Sequence, residues 1–100
     1  MPIDYRLTDA TGTCLDVGQL PTIELTLQHC VEWCAAEFFD CAQNNNQIVA
    51  RIEWCAAGFA PRAEFILRES AGQILALDES GQIRAFAQCQ ISLKNLVKVD

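Results

Sequence analysis

The sequence predicts an α+β fold: an N-terminal β-hairpin, one or two central helices, and a C-terminal antiparallel β-meander packed on them. Three observations carry that expectation. Acid-x-x-Gly turn motifs recur as Asp9-Ala-Thr-Gly12, Glu69-Ser-Ala-Gly72 and Asp78-Glu-Ser-Gly81, each between β-compatible runs. An apolar stripe of helical period runs through 24–43. No Pro/Gly/Ser-rich linker and no low-complexity stretch divides the 100 residues, so 1–100 reads as a single domain.

The hairpin comes first, over residues 3–17. IDYRL and TCLDV flank Asp9-Ala-Thr-Gly12, where the acid accepts backbone hydrogen bonds and Gly12 tolerates positive φ. That is the chemistry of a type I turn closed by a Gly bulge. The same reasoning makes 63–90 a three-stranded meander of EFILR, QILAL and QIRAFAQ, joined by the other two turns. Ser92–Asp100 adds a helical turn or an edge strand.

Between hairpin and meander lies a helix over roughly 24–43. At 100° per residue, Leu27, Cys30, Val31, Cys34, Phe38 and Cys41 share an arc of about 100°. His29, Glu32, Phe39, Asp40 and Gln43 fall on the other side. Thr22 after Pro21 is a candidate N-cap, and Asn44-Asn45-Asn46 a candidate stop.

A near-repeat follows. VEWCAAEFF at 31–39 and IEWCAAGFA at 52–60 agree at six of nine positions. Read as a helix, the second copy has a stripe of Ile48, Ile52, Cys55 and Phe59 that aligns with Leu27, Val31, Cys34 and Phe38. Asn46 caps it and Gly58 and Pro61 end it. Read as a strand, Ile48, Ala50, Ile52, Trp54 and Ala56 share one face, and Arg51 no longer interrupts an apolar stripe. The alignment of the two stripes favours the helix, with the two copies facing each other across small Ala and Cys groups.

Composition narrows the function classes. The chain is 51% hydrophobic and only 20% charged, against about 25% charged in ordinary globular proteins. A small globule has little interior, so the apolar surplus predicts a homo-oligomer, a dimer or larger. No apolar run approaches the roughly 20 residues of a membrane span. The start, MPIDYRLTD, has neither the basic nor the apolar segment of a signal peptide, which points to a cytoplasmic protein. In that compartment the six cysteines stay reduced and pack as small hydrophobes.

The net charge of −6 is lopsided. Residues 1–50 carry seven acids against Arg6, whereas 51–100 carry six acids and six bases. Such a field disfavours direct contact with nucleic acid and favours a basic protein partner.

No constellation calls for catalysis or a cofactor. Cys30, Cys34 and Cys41 span about 16 Å along a helix, too far for three sulfurs to reach one zinc ion. His29 is the only histidine, and as a helical neighbour of Cys30 it diverges from it by about 100°, so the two are not a nucleophile–base pair. No phosphate-cradling loop or nucleophile elbow is present. The expectation is a non-catalytic interaction module with Glu32, Phe39 and Asp40 as its partner-binding residues: an aromatic among acids suits a protein contact. The alternative is a small-ligand pocket between helix and sheet or between subunits, lined by Trp33, Trp54, Cys34 and Cys55.

Overall fold

The computed structural model describes residues 2–37, 48–56 and 63–89. In chain order these form β1 (Ile3–Asp9), β2 (Cys14–Leu20), α1 (Ile23–Glu37), β3 (Ile48–Ala56), β4 (Ala63–Ser70), β5 (Gln73–Leu77) and β6 (Ile83–Gln88). All six strands join one antiparallel sheet in the order β2-β1-β3-β4-β5-β6. The expected hairpin and meander are both there, but they are not separate units. β3 pairs with β1 on one side and β4 on the other and fuses them.

That central strand is the second copy of the repeat, and it corrects the helical expectation. Alternation explains it. Ala50 and Ile52 are buried on the face that also holds Tyr5, Leu7, Phe65 and Leu67, while Arg51 and Glu53 leave on the other. A helix over the same residues places Arg51 beside the apolar stripe. A strand places it across from Ile66 and within 3.8 Å of Glu64, where charge is solvated. The described residues thus contain one helix and not two. The expected second half of α1, 38–43, and the C-terminal element at 92–100 lie outside the described residues.

α1 starts as the sequence predicts. Thr22 Oγ1 accepts the Leu25 N–H at 3.2 Å, an N-cap, and Glu24 complements the positive end of the helix. Its stripe of Leu27, Cys30, Val31, Cys34 and Ala35 is buried against the sheet. The core continues through Val49, Ala50 and Ile52 of β3, Phe65 and Leu67 of β4, Ile74 and Ala76 of β5, and Ala85 of β6.

Two of the three turns close as expected. In each, the N–H of Gly12 or Gly81 reaches back to the acid's carbonyl oxygen, and the glycine has positive φ. The middle turn differs: Ser70 pairs directly with Gln73, leaving a two-residue turn with Ala71 at φ 53° and Gly72 at φ 81°. Both angles are those of a type I′ turn, whose twist matches the strands it joins. Glu69 still accepts the Gly72 N–H, through Oε2 at 2.9 Å.

Candidate functional site

Adjacent residues of α1 tie the helix to opposite edges of the sheet. Gln28 Nε2 donates to the Phe86 carbonyl oxygen of β6 at 3.2 Å and to Glu32 Oε2 at 3.0 Å. His29 Nε2 lies 3.1 Å from Asp16 Oδ2 of β2. The same Asp16 oxygen accepts the Tyr5 hydroxyl of β1 at 2.9 Å, and the Tyr5 and His29 rings lie 5.7 Å apart. One carboxylate oxygen therefore gathers a phenol and an imidazole from three elements.

Local sequence explains the cluster. Tyr5 shares the inward face of β1 with Ile3 and Leu7, and its partner on β2 is Gly18. A Cβ at Gly18 would sit 2.9 Å from the Tyr5 hydroxyl oxygen, so only glycine lets the ring lie across β2 toward Asp16. Asp16 itself stands opposite Leu7, on the inward face, where a hydrophobe would otherwise be expected.

The electrostatics follow. Burial works against the charge on Asp16, but hydrogen bonds from His29 and Tyr5 outweigh it and hold the carboxyl below its usual value. An ionised Asp16 can only accept, so His29 Nε2 carries a hydrogen. Burial, then the bond to Asp16 and its charge, raises the Tyr5 hydroxyl well above an ordinary phenol. Burial and the Asp16 charge push the Cys30 thiol up to about 12, so near neutral pH it stays protonated and is no nucleophile for its neighbour His29. The arrangement can fasten the helix to β1 and β2. Among the described residues no three His, Cys, Asp or Glu side chains gather as a metal site.

The residues singled out by sequence are spread out. Glu32 is exposed on α1. Phe39 and Asp40 lie outside the described residues. Cys34 is fully buried, and Trp33 packs at the margin of the core. Trp54 also packs on the core, its ring stacked on Phe65 at 6.2 Å, and among the described residues its buried indole N–H has no acceptor. Cys55 follows Trp54 along β3 and so leaves on the opposite face. Two open clefts are formed elsewhere. One of about 350 Å³ is lined by Glu64, Phe65, Asp78, Glu79 and Ser80, and one of about 400 Å³ by Pro2, Gln19, Leu20 and Pro21.

Sequence reasoning missed three features. The Tyr5–Asp16–His29 cluster depends on strand register, and its only local hint is an acid in an inward position. Glu69 is the second: it is fully buried, and its Oε1 has no partner among the described residues. The third is an apolar strip on the sheet face away from α1, formed by Ile66, Leu75, Leu77, Ile83 and Phe86 in cross-strand register. Ile83 and Phe86 remain 57% and 55% exposed.

No family model, no curated protein and no solved structure matches the chain. No helix among the described residues is long and apolar enough to cross a membrane.

Proposed function

We propose that the protein is a non-catalytic interaction module whose acidic N-terminal half receives a basic protein partner. The observation that carries this reading is the charge partition. The described residues of β1, β2 and α1 carry Asp4, Asp9, Asp16, Glu24, Glu32 and Glu37 against Arg6 alone, whereas those of β3–β6 offset Glu53, Glu64, Glu69, Asp78 and Glu79 with Arg51, Arg68 and Arg84. A one-sided field of this kind speeds docking of an opposite charge and makes it sensitive to salt. Glu32, with Phe39 and Asp40 beyond it in the chain, is the proposed contact. Glu32→Lys and Asp40→Lys are expected to weaken partner capture at low salt, with the effect shrinking as salt rises. Pull-downs from the source lysate that return nothing at low salt contradict the reading.

The apolar strip on β4–β6 supports the second part of the proposal, a homodimer or larger assembly that covers Ile83 and Phe86. Native mass measurement tests it, and a monomer at high concentration contradicts it. A ligand-binding reading has one observation on its side, the unpartnered Trp54 N–H. Tryptophan fluorescence across a metabolite panel decides it: a flat response removes that reading.

A further inference from the structure

We propose that the outer edge of β2 is a docking strand that pairs with an extended basic segment of a partner. The inference rests on the acidic-face reading above and adds where and how the partner binds. It starts from a contrast between the two ends of the sheet. At β6 a side chain already occupies the edge, since Gln28 donates to the Phe86 carbonyl. A register shift is present at both ends, between Leu7 and Thr8 beside β2 and between Ala76 and Leu77 beside β6. At β2 no described strand pairs with the outer side, and Cys14, Val17, Gly18 and Gln19 are exposed, Val17 by 61%. The stretch Asp16–Leu20 runs in regular register and contains neither Lys nor Pro, the residues that usually blunt an edge.

An antiparallel strand turns alternate N–H and C=O groups outward, a row that another extended backbone can complete. The edge is also held ready. Gln19 donates to Asp4 Oδ1 at 2.8 Å, and Asp16 is fixed by Tyr5 and His29, so these side chains are held on the sheet, while the Cys14 thiol makes a long 3.9 Å contact to the Asp16 carbonyl oxygen. Little ordering remains to oppose binding.

Charge selects the occupant. Asp4, Asp9, Asp16 and Glu24 lie on β1, β2 and the first turn of α1, against Arg6 alone, which stands opposite Val17. Two copies meeting edge to edge would bring these carboxylates together, whereas Lys or Arg alternating along a partner strand would face them. A basic β-strand is therefore favoured over a second copy.

The test titrates the full chain at low salt with a short peptide of alternating Lys and Val, alongside a Glu/Val counterpart and poly-L-lysine. The expected result is binding of the Lys/Val peptide with new amide-exchange protection confined to β2. Val17→Lys should weaken it by at least about tenfold while leaving the fold intact, and Val17→Thr should not, because an edge lysine opposes both pairing and a basic strand. Phe86→Lys, at the other edge, should leave binding unchanged. Lys/Val and poly-L-lysine binding without β2 protection overturns the docking strand but spares the acidic-face reading. Equal binding of the Glu/Val peptide, or no salt-sensitive binding of either basic probe, sinks both. A dimer of the chain alone that Val17→Lys dissolves overturns the proposal in favour of a second copy.

Discussion

In α1 the run Glu32–Ala36 is helical, with Cys34 in the core and Trp33 at its margin. In β3 the matching Glu53, Trp54, Cys55 and Ala56 are extended, with Trp54 turned to the core and Cys55 to the far face. The same residues thus exchange roles. What differs is the flanking sequence and the neighbours. Before the first copy, Leu27 and Cys30 continue a 3.6-residue period. Around the second, Ala50, Ile52 and Trp54 keep a period of two, and β1 and β4 supply a ladder on both sides. Pentapeptide propensity is weak beside that context.

The position just before each repeated Glu is where the copies agree. Val31 and Ile52 align, and both are 0% exposed. Ile52→Ala is expected to cost about 2–5 kcal/mol in denaturant unfolding and Val31→Ala somewhat less, since fewer carbons are removed. A negligible loss at either would break the shared part of the comparison.

The cysteines are where the copies part. Cys34→Ser places a hydroxyl in an apolar core and should lose about 1–3 kcal/mol. Cys55→Ser, on the half-exposed face, should stay within about 0.5 kcal/mol of the parent. Equal costs would mean that both residues occupy equivalent sites, as two helices would require.

Attachment gives a finer distinction. α1 is fastened by side chains, β3 by backbone pairs, so acid should loosen the first before the second. Asp16 is held below its ordinary value in the folded chain. Its stabilisation is therefore complete above the unfolded carboxyl value near pH 4 and is lost as pH falls through the folded one. Asp16→Ala should cost about 1–2 kcal/mol near neutral pH by stranding Tyr5 and His29, with little difference left in strong acid. Amide exchange resolves where the change falls: faster in α1 and little altered in β3 is the expected pattern.

How much of this was legible in the sequence depends on how far apart the deciding residues are. Turns such as Asp9–Gly12 and Asp78–Gly81 announce themselves because four consecutive residues specify them. The stripe of α1 and its Thr22 cap are equally local. The state of the second copy was open, because Ile48, Ile52 and Cys55 satisfy a helical period while Ala50 and Trp54 satisfy a strand, and pairing with β1 decided it. The Tyr5–Asp16–His29 cluster was illegible for the same reason. Nothing short of the Leu7–Asp16 register reveals that an acid in the hairpin meets a histidine in the helix. Buried Glu69 looked like an ordinary turn acid, a role its Oε2 does fill.

Backbone carbon chemical shifts, residue by residue, address the central claim most directly: one repeated segment adopts two secondary structures, with its indole and sulfur groups serving as packing in each. The account predicts helical Cα shifts across 31–36 and extended shifts across 52–56. Shifts of the same sign in both segments would contradict it.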